Sequence, residues 1–303
     1  GYLQGSEYNM QQNFYNKPVA SINWDYKINE TTNLSTIVYG SWGRGGGSGA
    51  WGRAAGLNFN DDRWRTAPNG TGTVDFDKLY AYNSGQTVQV PTTGAFTAFA
   101  PATRALVGGQ YVNTAGTEAT NGVSKIAGIN SHDWYGGIIN LDKKLNNLTL
   151  DFGLDLRTYK GIHVRYLNDL LGGSTFKDTG DLNNPAGVFT SETSSPTPSL
   201  NPFFQAIQGT PIVRNWNGLV NWLGAFGQAE YEKDNLTAFV QASVSQQSFQ
   251  RQDYFVYTNS DPLQNSDKKS LMGGNFKAGA NYNFNDNHNA FVNAGYYSKQ
   301  PFL

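Results

Sequence analysis

The chain has 303 residues and a formal net charge of −1, with 15% charged and 14% aromatic residues. A soluble domain has about a quarter charged residues, and a net charge near zero provides no field that would attract nucleic acid. Cys is absent, which excludes disulfides and thiolate metal sites, and no run of about 18 apolar residues is present, which excludes a transmembrane helix.

The first predicted strands are marked by alternation of apolar and polar residues. In residues 20–28 the apolar positions are Ala20, Ile22, Trp24, Tyr26 and Ile28. A period of two places these side chains on one face of a strand and the polar residues on the other. Residues 34–42 and 135–141 repeat the pattern less clearly.

Residues 148–157 contain the clearest alternation in the chain. Every second residue from Leu148 to Leu156 is apolar, and the residues between them are polar or Gly. This apolar face matches the roughly 9–11 residues that a tilted strand needs to cross a bilayer. We therefore expect Phe152 to face lipid, and Gly153 to face a lumen in which Ser would be nearly neutral.

Four further strands follow, and the eight predicted strands form four hairpins. These later strands are 223–231, 236–245, 276–284 and 290–298. Each predicted turn is short, polar and rich in Asn, Asp or Lys, as turn chemistry requires. The turns are Asn29–Thr32, Lys143–Asn146, Glu232–Asn235 and Asn285–His288.

Long connections rich in Gly, Pro, Ser, Thr and Asn separate the hairpins, over residues 43–132, 160–218 and 247–273. Such loops are uncommon in soluble domains, whereas outer-membrane barrels combine long extracellular loops with short periplasmic turns. The predicted fold class is therefore all-β, a transmembrane antiparallel β-barrel. A soluble β-sandwich is the less favoured alternative. The strand directions place both chain ends outside the cell, so we expect residues 1–303 to be part of a single, larger barrel domain.

Three segments carry a resemblance to a known family. Residues 15–49 read YNKPVASINWDYKINETTNLSTIVYGSWGRGGGSG; residues 131–173 run from SHDWYGG to LDLRTYKGIHVRYLNDLLGG; residues 226–302 begin FGQAEYEKDNLTAFVQASVSQQSFQRQDYF. These segments resemble the middle of the barrel of TonB-dependent outer-membrane receptors, especially those of Bacteroidota. The plug, the TonB-contacting segment and the terminal strands of that family have no counterpart in the chain.

The resemblance implies a barrel of about 22 strands around a plug. It also implies import of a scarce nutrient, such as a siderophore, glycan or peptide, across the bacterial outer membrane. The implied partners are outer-membrane lipid, the TonB complex through an N-terminal region, a surface lipoprotein, and a small-molecule, glycan or peptide ligand. A passive porin-like channel, and a surface adhesin or structural outer-membrane component, are the alternative functions.

No residue pattern predicts catalysis, a cofactor or a metal, so we do not expect an enzyme. Asp151 and Asp155 lie two pleats apart, which suits a barrel wall better than the carboxyl pair of a glycosidase. The three His residues, at positions 132, 163 and 288, lack metal-ligand spacing. Gly43–Gly49 resembles a phosphate-binding loop but lacks its Lys, and we expect a flexible loop tip.

Two groups of residues are candidates for ligand binding. His163 and Arg165 continue the inward phase of Arg157 beyond the membrane, where they would line a vestibule. The second group consists of aromatic residues in or beside the long connections, where such side chains either bind ligands or pack the loops. Its members are Trp51, Trp64, Trp216 and Tyr254.

Overall fold

A computed structural model describes residues 1–67, 72–92, 96–118, 120–198, 201 and 209–301. One helix, α1 (Phe76–Asn83), and two short 3₁₀ turns, Asp62–Trp64 and Pro262–Gln264, accompany the strands. The strands are β1 (Tyr2–Leu3), β2 (Ser6–Glu7), β3 (Asn13–Asn16), β4 (Val19–Asn29), β5 (Thr32–Gly52), β6 (Val88–Pro91), β7 (Phe99–Ala102), β8 (Val112–Thr114), β9 (Val123–Leu145), β10 (Leu148–Asp169), β11 (Thr175–Asp178), β12 (Val188–Thr190), β13 (Asn215–Lys233), β14 (Leu236–Asp253), β15 (Lys269–Asn285) and β16 (His288–Ser298). In the ranges described, no helix has the length and apolarity to span a membrane.

One large antiparallel sheet forms the body of the chain, in the order β16-β15-β14-β13-β10-β9-β5, with β3 and β4 both beside β5. β4 pairs with Thr32–Ser41, and β3 pairs with Arg44–Gly47 further along the same strand. β3 and β4 therefore occupy the same position in the sheet, next to β5, and the strand is interrupted at Pro18. Proline has no N–H for the ladder, but its carbonyl accepts a hydrogen bond of 3.1 Å from the Trp42 N–H. The all-β transmembrane barrel fold class is confirmed.

All eight predicted strands and all four hairpins are present, but the strands are longer than predicted. β5, β9 and β10 contain 21, 23 and 22 residues. The second hairpin turns at 146–147, later than the predicted Lys143–Asn146. Strict alternation marks only part of each long strand, whereas the backbone ladder continues beyond it. Gly43–Gly49 lies inside β5 between β3 and β9, so the expectation of a flexible loop tip was wrong.

The register separates an outer face from an inner face, because directly opposed residues of antiparallel strands point to the same side. Phe152 lies opposite Leu141 on β9 and Gly227 on β13, and Phe276 lies further along the same row. Apolar side chains on this outer face are exposed, with Phe152 at 55%. Asp155, on the inner face, is buried at 9%. The predicted phase of β10 is therefore correct.

Aromatic rings cover glycines on the inner face. A Cβ added at Gly153 would lie 2.1 Å from Phe226, its cross-strand partner. Gly136 is covered in the same way by Tyr39, and Gly279 by Phe239. Ser at position 153 therefore displaces the Phe226 ring, and the expectation of a nearly neutral substitution is corrected.

The described parts of the long connections contain secondary structure and a buried apolar core. Residues 53–122 contain α1 and the β6–β7 hairpin, and β8 pairs in parallel with β11 of the next connection. Trp64, Phe76, Leu79 and Tyr82 are buried together in what we call the loop core. Arg104 stabilises this region by donating hydrogen bonds to the carbonyls of Asn83 and Val112 and to Asn113 Oδ1.

Candidate ligand-binding site on the inner face

Several of the predicted residues meet on the inner face of the sheet at its loop end, which is the end that the long connections join. His163 on β10 lies opposite Trp216 on β13 and Asn130 on β9. Two residues further along, Arg165 lies opposite Gly128, which in turn lies opposite Gly47. The Arg165 N–H donates to the Arg214 carbonyl at 3.0 Å, so Arg214 continues the line of β13 beside Arg165.

Trp216 is packed against two cationic or potentially cationic groups. Its ring stacks on His163, with centroids 3.9 Å apart and an angle of 19° between the planes. The Arg251 guanidinium carbon lies 4.4 Å from the Trp216 centroid. Arg251 is held by Asp253 through an Nη2–Oδ2 contact of 2.6 Å, and His163 Nδ1 is 2.9 Å from Asn130 Oδ1. The sheet thus presents an ordered imidazole–indole–guanidinium group toward the inner space.

A second guanidinium–indole contact lies next to this group. The guanidinium carbon of Arg165 is 4.4 Å from the centroid of Trp51. Among the described residues, no carboxylate oxygen lies within 4.0 Å of Arg165 or Arg214. Arg214 Nε is buried without a hydrogen-bond partner. Burial, followed by the charge of Arg251, lowers the pKa of Arg214, which lies outside the strands.

A groove of about 620 Å³ opens beside these side chains. Gly46, Gly47, Gly49 and Gly128 contribute backbone only, while Trp51, Arg165 and Arg214 contribute side chains. A Cβ added at Gly49 would meet no atom within 4 Å. The volume falls within the roughly 300–1,000 Å³ of small-molecule sites.

Arg157 lies deeper on the inner face and is already neutralised. It donates to both carboxylate oxygens of Asp155, from Nε at 2.9 Å and from Nη2. Its guanidinium carbon is also 5.4 Å from the Trp222 centroid. This pairing identifies Asp155 as a wall carboxylate, and it leaves Arg157 outside the residues that line the groove.

The remaining candidates lie elsewhere. Trp64 is fully buried in the loop core. Tyr254, just beyond β14, accepts a hydrogen bond of 3.1 Å from Asn217, which belongs to the outer phase of β13. His132, also on the inner face, contacts the Tyr15 hydroxyl at 3.1 Å. In the ranges described, no group of three or more His, Asp or Glu residues could hold a metal.

Two residues of the candidate site, Arg214 and Arg251, were not predicted from the sequence. Arg251 could have been found by extending the inward phase of residues 237–245 along β14, since it lies opposite Gly218, which lies opposite Gly161. Arg214 precedes β13 and belongs to no alternating pattern. Only its packing beside Arg165 identifies it.

The two-faced antiparallel sheet defines a protein of the transmembrane β-barrel class. No family model matches the sequence, and no curated protein matches it. Among solved structures, the chain is similar to the ferric-catecholate import receptor Fiu from E. coli K12, with 12% identity and a TM-score of 0.45. The alignment covers 95% of this chain and 36% of that receptor, so the chain spans about a third of the receptor's length.

Proposed function

We propose that the chain is part of a TonB-dependent receptor of the bacterial outer membrane that imports a scarce nutrient. The observation that carries the proposal is the division of one sheet into two surfaces. Its outer face is apolar and exposed, and its inner face is polar, with a basic and aromatic groove at the loop end. A lipid-facing wall with a recognition surface inside it suits passage of a selected ligand.

The outer face supports the membrane location. Exposed apolar residues lie on neighbouring strands of the sheet, and Ile22, Val38 and Leu156 form one such cross-strand row at 75%, 56% and 49% exposure. Contiguous apolar surface on this scale is unfavourable in water and is expected where lipid covers it. Outer-membrane lipid is therefore the proposed partner of this face.

The inner face supports ligand recognition. Trp51, His163, Arg165 and Trp216, four of the residues expected to bind ligand, meet at or beside the groove. The long connections join the strands at the loop end of the sheet, where a ligand arriving from outside would first make contact. We propose that a small molecule, glycan or peptide binds there.

Energy coupling rests on the family resemblance of residues 15–49, 131–173 and 226–302. On that basis we propose a barrel of about 22 strands with a plug, coupling to TonB, and a lipoprotein partner at the cell surface. The corresponding alternative is a passive channel, which would need neither a plug nor energy.

Growth under single-nutrient limitation tests the proposal. A strain lacking the gene and a strain lacking TonB are compared with the parent on limiting iron, cobalamin, individual glycans and peptides. We expect both mutants to share a growth defect on one nutrient, because binding at the groove without energy coupling does not release the ligand inward. A defect restricted to the gene deletion, together with steady ion conductance of the purified protein in planar bilayers, would establish a passive channel instead.

A further inference from the structure

We propose that the groove is an anion-binding site for small organic anions with a planar unsaturated part. Arg165 and Arg214, which line the groove, bind the anionic groups, and Trp51 contacts the planar part. Arg251 adds positive charge beside the groove. The inference deepens the proposed import function by naming the chemical class of the ligand. Binding itself requires neither transport nor TonB, so the two can be tested separately.

Uncompensated positive charge is the first support for the site. Three guanidinium groups, those of Arg165, Arg214 and Arg251, are gathered at the loop end of the sheet. Within the described part of the chain, the one ion pair they form is that of Arg251 with Asp253. Three positive charges less one negative charge leave a net charge of +2 with His163 neutral. Like charges at partly buried positions repel each other, and a bound anion removes this repulsion.

The stacking of the guanidinium groups is the second support. Arg165 and Arg251 each lie 4.4 Å from an indole centroid. A guanidinium stacked on an aromatic ring keeps its N–H groups in its own plane, where they remain able to donate to carboxylate, phosphate or sulfonate oxygens. Trp51, which lines the groove, also provides apolar ring surface beside the charges. Charge and flat apolar surface side by side suit an anion that carries a planar group.

Space is the third support. Gly47 and Gly128 lie in the same cross-strand row as Arg165, and neither adds a side chain to the groove. A Cβ added at Gly128 would be 3.7 Å from Arg214 Nη2, an ordinary contact distance. A ligand atom at that position is therefore within reach of the Arg214 guanidinium.

Titration with trimesate, a planar aromatic tricarboxylate, tests the site on the purified full chain in non-ionic detergent. Calorimetry and Trp fluorescence should show saturable binding, weakened about tenfold or more in Arg165→Gln and in Arg214→Gln, because each variant loses a charged hydrogen bond. Lys160→Gln is the matched control, since Lys160 is exposed on the opposite face of the same strand. It should bind trimesate as the parent does.

Two ligand analogues separate charge from ring contact. The cyclohexane tricarboxylate has the same charge without a flat face and should bind more weakly than trimesate. Trimesamide, the uncharged triamide, should not bind. Equal binding of trimesate and trimesamide would overturn the proposal, because the positive charge would then have no role.

A built-in carboxylate provides an independent test. Gly128→Glu places an acid beside Arg214 and should abolish trimesate binding, while Gly128→Gln, of equal size, should retain part of it. Heat-modifiable electrophoretic mobility verifies that each variant barrel has assembled.

Failure of the assembled parent to bind trimesate, or parental affinity in both Arg variants, would overturn the site. Trimesate binding without a TonB-dependent growth defect would overturn the import function and leave the site intact.

Discussion

Phe152 and Gly153 are adjacent in β10 and meet opposite environments. Phe152 is 55% exposed on the outer face, whereas Gly153 is buried beneath the Phe226 ring on the inner face. Alternation along a strand requires this inversion at every step. The sequence showed which face each residue occupies, but it could not show the ring that covers Gly153, because Phe226 is its partner on a different strand.

We expect Phe152→Lys to cause a severe loss of assembled protein. A Lys at this position places a charge in hydrocarbon, which costs roughly 2–4 kcal/mol near the bilayer midplane of a barrel. Phe152→Leu keeps the apolar contact with lipid and should assemble almost as well as the parent. The measurement is the yield of heat-modifiable protein in purified outer membranes. Similar yields for the two variants would show that this face does not meet lipid.

The strands are long because backbone pairing between neighbouring strands continues past the apolar stretch of the outer face to the loop end of the sheet. The loop core is then built on this extended sheet. Asn83 at the end of α1 donates to the Val123 carbonyl at 2.7 Å, which ties the helix to the first residue of β9. Arg104 brings Asn83 and Asn113 together by donating 2.8 Å hydrogen bonds to both. The loops are thus held by buried polar contacts as well as by apolar packing.

Arg104→Met should loosen the loop core and leave the sheet assembled. The substitution leaves the buried acceptors on Asn83, Val112 and Asn113 without their donor, at a cost of about 1–3 kcal/mol for each unsatisfied group. We expect faster hydrogen exchange in α1 and in residues 112–118, with unchanged exchange in β13 and β14. Arg53→Met is the control, because Arg53 has no hydrogen bond or ion pair within the described residues. Equal exchange in the two variants would contradict a structural role for Arg104.

For the whole molecule, the exposed apolar face determines the solvent that the protein needs. Burying apolar surface releases about 25 cal/mol per Å², and water offers no partner for the outer face. We expect the protein to fractionate with outer membranes and to stay monodisperse only in detergent or lipid. Recovery of a monodisperse monomer from the soluble fraction without detergent would contradict the barrel fold.

Local sequence patterns were enough to predict the eight strands, their pairing into hairpins and the face on which residues such as Phe152 and Asp155 lie. These features depend on local periodicity and on turn chemistry, both of which can be read within about ten residues. The sequence also identified Trp51, His163, Arg165 and Trp216 as candidates for ligand binding.

The full length of β5, the folding of the loops and the meeting of Arg165 with Arg214 and Arg251 depend on contacts between distant parts of the chain. Gly43–Gly49 becomes a strand because β3 and β9 supply hydrogen-bond partners on both sides. Trp64 becomes a core residue because α1 packs against it. No local pattern encodes such contacts, since burial and charge clustering are properties of the assembled sheet. Alternation within a strand sets the side to which a residue points, whereas the register between strands sets its neighbours on that side.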